Sequence, residues 1–237
     1  PESALNFLVK AVKAAPEEFI DPETGVNFTR QQALGGLKSA LLKFAFMESG
    51  GSGVRLNAKA LNDTLFSPLK GTNLVLSEFM KKNGLIDPGH LEDIQRAIKQ
   101  MRNVEEAFAT GEVEKVLFTN PTPAKMLYSR ILGATLGARF QDSLNSLIAR
   151  IPGVGSSNTQ QIGGGMVAAQ EGSRVVANLL VNGPEVRLLQ AQVNLFSDRK
   201  ALGAMLRDIT KEEDANVAFE AMEKAIAGGA RQTGIRL

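Results

Sequence analysis

Apolar residues recur along this chain at the three- and four-residue spacing of amphipathic helices, and no stretch shows the strict alternation of a half-buried strand. Leu5, Leu8, Val9 and Val12 share one face of a first helix, which Pro16 ends. Residues 20–28 read as a loop, with Asp21-Pro22-Glu23-Thr24-Gly25 as its turn. Thr29 and Gln32 have capping-box spacing and open a strong helix carrying Leu34, Leu37, Leu41, Leu42 and Phe44. Gly50-Gly51-Ser52-Gly53 breaks it.

Shorter helices are expected over 57–66 and about 73–82, with Gly84 placed for a left-handed C-terminal cap. Asp87-Pro88 is a new start, with Asp as N-cap and Pro at the first helical position. The helix from there to about Thr110 turns Leu91, Ile94, Ile98, Met101 and Val104 inward. Val113 to Phe118 is the nearest approach to a strand, and it fits a short helix equally well.

Further on, a long helix is expected from about Pro123 to Ala149. A loop follows over 151–158, then helices over roughly 164–181 and from Pro184, with Asp198 placed to cap another. Thr210 with Glu213 repeats the capping-box spacing before a helix to about Ala227, which Gly228-Gly229 should stop. The pattern predicts an all-α fold, a multi-helix bundle in two subdomains. An N-terminal one spans residues 1–118 and a C-terminal one 119–237, meeting at Asn120-Pro121-Thr122-Pro123.

Composition narrows the chemistry. The 237 residues contain no Cys, which removes disulfides, thiolate zinc sites and cysteine nucleophiles from this segment. With 27 basic and 25 acidic residues, the charge balance demands neither nucleic acid nor an anionic membrane. The balance shifts after the boundary, where residues 119–200 hold eight Lys/Arg and four Asp/Glu. The most apolar window, Met126 to Ile151, is interrupted by Arg130, Arg139, Asp142 and Arg150, so no membrane span is expected. Pro1 stands where an initiator Met would, and the chain is expected to be a processed product or the ordered part of a longer polypeptide.

Candidate chemistry is sparse, and no catalytic residue, cofactor or metal site is assigned. His90 is the single histidine, so a metal site or a Ser-His-Asp triad would depend wholly on it, and a structural role is expected. Glu105-Glu106, Glu112 with Glu114, and Glu212-Glu213-Asp214 are carboxylate clusters. Acid–base chemistry needs two carboxyls converging across a cleft, whereas neighbours on one helix point apart. Gly153-Val154-Gly155 and Gly163-Gly164-Gly165 match neither a dinucleotide fingerprint nor a Walker loop.

The more informative feature is Gly133 with Gly137, which makes a smooth strip on one helix face. Each glycine costs a helix about 1 kcal/mol against Ala, so two of them point to a closely approaching backbone. Ala168, Ala169, Gly172 and Ala177 could supply the matching surface. Arg130, Arg139, Arg150, Arg174, Arg187 and Arg199 recur through the same half without interleaved aromatics, a poor pattern for stacking single strands. Arg130, Gly133, Gly137, Arg139, Gly172 and Arg174 are the candidate interaction residues.

One longer pattern runs Arg130-Ile131-Leu132-Gly133, Gly137-Ala138, a Gly/Ser-rich loop and Gln161-Ile162. It continues through Glu171-Gly172-Ser173-Arg174, Leu179-Leu180 and Pro184-Glu185-Val186 to a Leu-rich helix near Leu206. This third of the chain resembles the C-terminal region of the large internal virion proteins of short-tailed bacteriophages, the DNA-ejection proteins packed inside the capsid. The resemblance implies a helical, non-catalytic module at the end of a very long polypeptide, with enzymatic parts elsewhere in that polypeptide. It implies a place inside the virion, and the portal, neighbouring ejection proteins or further copies of the chain as partners. A DNA-contacting module near packaged DNA and a glycan-cleaving domain using Glu105 or Glu112 are the alternatives.

Overall fold

A computed structural model describes residues 2–20, 25, 27–50, 57–134, 143–144, 146–147, 150, 176, 179–180, 185–210 and 212–232. Among them are ten helices and one short hairpin. The N-terminal part contains α1 (Glu2–Ala14), β1 (Glu18–Ile20), β2 (Asn27–Thr29), α2 (Arg30–Gly50), α3 (Ala58–Phe66), α4 (Leu76–Lys82), α5 (Pro88–Thr110) and α6 (Val113–Phe118). After it come α7 (Pro123–Ala134), α8 (Glu185–Ser197), α9 (Arg199–Met205) and α10 (Glu212–Gln232). The all-α multi-helix architecture is the expected one.

Local signals account for the helix boundaries. Thr29 and Gln32 form the reciprocal capping box, with Thr29 N–H to Gln32 Oε1 at 2.8 Å and Gln32 N–H to Thr29 Oγ1 at 3.1 Å. Asp87 accepts from His90 N–H at 2.9 Å and Pro88 follows at N1. Asp198 caps α9 through the N–H groups of Lys200 and Ala201. Gly84 and Gly111 lie in the left-handed region at φ +68° and +76°, where a side chain would strain the backbone.

Four details differ from expectation. Residues 20, 27 and 28, read as part of a loop, belong to an antiparallel pair with Glu18 opposite Thr29 and Ile20 opposite Asn27. Three-residue strands are too short to show alternation, and Arg30 closes the open end of the pair by reaching back to the Ala15 carbonyl. Phe44 lies on the outer side of α2, and Ala45 and Phe46 take the inner positions beside Leu41 and Leu42. Thr210 donates to Asp214 Oδ2 at 3.0 Å instead of pairing with Glu213. Finally, α10 continues through Gly228-Gly229 to Gln232. Glycine lowers helix stability by about 1 kcal/mol per residue without forcing a stop.

The buried apolar residues form one connected core that crosses the segment 119–123. Helix α2 packs on α3 and α8, and α5 packs on α3, α7 and α9. Phe46 of α2 meets Phe196 of α8 edge to face, with ring centres 5.0 Å apart. Within the junction segment itself, the Pro121 carbonyl accepts from Ile209 N–H at 2.7 Å.

Candidate functional site

A cluster of polar side chains forms where the start of α5 meets the end of α8. The last carbonyls of a helix have no partner within it. Here Asp198 takes the N–H groups of Lys200 and Ala201 at 2.8 and 3.1 Å, so α8 and α9 are separated by a cap. The carbonyls at the end of α8 are met by side chains from elsewhere. His90 Nε2 lies 2.8 Å from the Phe196 oxygen, and Lys38 Nζ donates to the Ser197 oxygen at 2.8 Å. A carbonyl can only accept, so this contact requires the proton on Nε2. Lys38 also places a positive charge at the negative end of the helix dipole.

Burial and neighbouring charges shift the groups of this cluster from their ordinary values. Burial pushes the His90 pKa below its ordinary value, and the charge of Lys38 acts in the same direction. The Phe196 carbonyl, Asp87 and Asp93 oppose that shift. Burial likewise lowers the Lys38 pKa, against the pull of Asp198 and Asp87. The His90 N–H holds the Asp87 carboxyl below the usual range, and Arg199 assists. Arg199 bridges Asp87 at 3.1 Å and Asp93 at 3.8 Å, and Asp93 also pairs with Arg96. The result is a clasp joining α2, α5, α8 and α9. His90 is 3% exposed, and its Nε2 proton is committed to the backbone, which fits a latch better than a proton donor to substrate.

A second clasp is centred on Glu105. Its Oε1 accepts from Ala58 N–H at 2.9 Å and from the Tyr128 hydroxyl. It therefore joins Asn57, whose side chain accepts from Ala60 N–H at 2.8 Å, in satisfying the start of α3. Burial first, and then the Glu105 carboxylate, push the Tyr128 pKa upward, so the hydroxyl stays a donor. Glu105 thus ties α3, α5 and α7 together. Alongside it, Thr122 Oγ1 donates to Gln100 Oε1 at 2.7 Å.

The other carboxylates lie outside such an arrangement. Glu106 pairs with Arg102, and Glu112 with Lys115, both at 3.8 Å on the exposed surface. Glu114 and Glu213 are exposed, and Asp214 is held by Thr210. Glu212 lies at the first turn of α10. Among the described residues, no group of three or more His, Asp or Glu converges as a metal site. Also among them, no helix is long and apolar enough to cross a membrane.

Of the candidate interaction residues, Arg130 and Gly133 lie on α7, the first half-buried and the second buried. Gly137, Arg139, Gly172 and Arg174 fall outside the described residues, as do most of the remainder of the helix expected over 123–149 and most of that expected over 164–181. Arg199 is held by Asp87 and Asp93, while Arg150 and Arg187 are exposed. A cavity of about 30 Å³ lies between α5, α7, α8 and α9, bordered by Met101, Leu127, Tyr128, Gln192, Phe196 and Met205. That is room for about one water molecule, and far less than an organic substrate needs.

Sequence reasoning identified His90 and Glu105 but not their partners, because Phe196 and Tyr128 stand 106 and 23 residues away. No protein-family model, curated protein or solved structure matches the chain.

Proposed function

We propose that this chain is a non-catalytic helical assembly module of a phage internal virion protein, docking a longer polypeptide to the portal or to neighbouring virion proteins for genome delivery. The observation that carries the assembly reading is the use made of the polar residues. His90, Lys38, Glu105, Tyr128 and Arg199 are all engaged in holding helices to one another. Of the two carboxylates that a glycan-cleaving reading would use, Glu105 has its Oε1 occupied by two donors, and Glu112 pairs with Lys115 on the exposed surface. Support for the virion setting comes from the resemblance over residues 130–206. A module without disulfides suits a protein that must hold in the particle and then pass a narrow tail.

Cross-linking mass spectrometry on intact particles tests this reading. The expected result is a set of cross-links from this segment to the portal or to other internal virion proteins. Release of sugar fragments from peptidoglycan by the purified chain, lost in Glu105→Gln, would refute it.

A further inference from the structure

The side of α2 that faces away from the core is built like a helix-pairing seam. The inner side of this helix buries Leu41, Leu42, Ala45, Phe46 and Ser49. Its outer side carries Ala33, Leu37, Ala40, Phe44 and Met47, spaced four, three, four and three residues apart. That is the a/d repeat of a two-stranded coiled coil, with Leu37 and Phe44 at a and Ala33, Ala40 and Met47 at d. Ala33 and Leu37 are half-buried at the edge of the core, whereas Phe44 is 40% and Met47 54% exposed. A helix apolar on both sides belongs in an interior, not on a surface.

The flanking charges say what covers it. Lys43, just before the a residue Phe44, and Glu48, just after the d residue Met47, border the seam on opposite sides. Both are exposed, and neither forms an ion pair with another described residue. They are five residues apart, the g-to-e′ interval across a parallel pair of identical helices. An antiparallel pair would instead set g against g′ and e against e′, so that Lys43 and Glu48 would not meet.

We propose that the outer face of α2 pairs in parallel with the same face of a second copy of this chain, Phe44 and Met47 forming the dry seam and Lys43 meeting Glu48 of the other copy on both sides of the two-fold axis. A two-fold contact is self-complementary by construction, so one patch with balanced charges suffices. This deepens the assembly reading by naming one partner and its surface.

The test is sedimentation velocity on the whole 237-residue chain at concentrations up to about 100 µM, the weak end of specific affinities. The expected result is a species of twice 25.4 kDa. Phe44→Glu with Met47→Glu should give a monomer with unchanged helical circular dichroism. Lys43→Glu should weaken pairing at least about tenfold, and adding Glu48→Lys in the same chain should restore it. Because the chain has no cysteine, Ala40→Cys reports register directly. Parallel pairing brings the two d positions close enough for a disulfide between copies.

A chain that stays monomeric, or a dimer indifferent to Phe44 and Met47, overturns the proposal. A dimer without rescue by the charge swap, or without the Ala40→Cys bridge, overturns its parallel register. A monomer that still cross-links to virion proteins would remove this inference and leave the assembly reading standing.

Discussion

His90 of α5 donates its Nε2 hydrogen to the carbonyl of Phe196 in α8, 2.8 Å away, and so closes one end of a helix that begins almost a hundred residues after it. The same Phe196 places its ring against Phe46 of α2. One residue therefore carries both a polar link from α8 to α5 and an apolar link from α8 to α2.

The His90 latch makes stability depend on pH. Its folded pKa lies below the ordinary value of 6.5 because burial disfavours the imidazolium. The unfolded chain therefore binds the proton more readily. The contribution of His90 is fully present above about pH 6.5 and is lost as pH falls from there through the lower folded value. Urea unfolding between about pH 5 and 8 should show this loss, and His90→Gln should flatten the profile in that window. An unchanged profile in His90→Gln would count against the latch.

His90→Ala is a different test, because it removes volume as well as the donor. It leaves the Phe196 carbonyl buried without its partner and opens space between α5 and α8. The expected cost is about 2–4 kcal/mol in denaturant unfolding at pH 7.5. A cost under about 0.5 kcal/mol would mean that the contact contributes little.

Glu105 and Tyr128 should behave as a coupled pair. Tyr128→Phe removes a hydrogen bond to a carboxylate and should cost about 1–2 kcal/mol. Glu105→Gln weakens the same bond and the cap on Ala58. A double-mutant cycle should return a coupling of at least about 0.5 kcal/mol. Simple additivity would show that the two side chains act independently.

Gly111 and Gly89 separate two kinds of glycine. Gly111 ends α5 at φ +76°, with open space around the position of an added Cβ. Gly111→Ala should therefore cost about 1–2 kcal/mol from backbone strain alone. Gly89 has ordinary helical geometry, but an added Cβ would lie 2.6 Å from Arg199 Nη2. The end of a flexible, half-exposed side chain can move away, so Gly89→Ala should loosen the Arg199–Asp87 bridge. The net change should stay within about 1 kcal/mol, since exposed ion pairs contribute little. Thermal unfolding of both variants checks the contrast.

What could be read in the sequence was local. Asp87-Pro88, Thr29 with Gln32, Gly84 and Asp198 each act within a few residues, so capping chemistry alone places those helix ends. The inward set of α5 was equally legible, because its other faces are charged and the period has contrast. Helix α2 lacks that contrast. With apolar residues on nearly every side, spacing cannot tell that Phe46 faces inward and Phe44 outward. The hairpin at β1 and β2 is too short to announce itself, and it rests partly on Arg30 reaching Ala15, fifteen residues back. The clasps were beyond reach for the same reason: the residue types at positions 90 and 105 are visible, but the carbonyl and hydroxyl that occupy them come from distant helices.

The most direct test of the assembly role is to locate the native polypeptide. On the proposed reading, peptide mapping and intact-mass measurement on purified phage particles should find this segment inside the virion. The proposal places it near the C-terminus of a chain well over a thousand residues long. A native protein absent from the particles, or one present only in the infected cell as a free chain of 237 residues, would contradict the account.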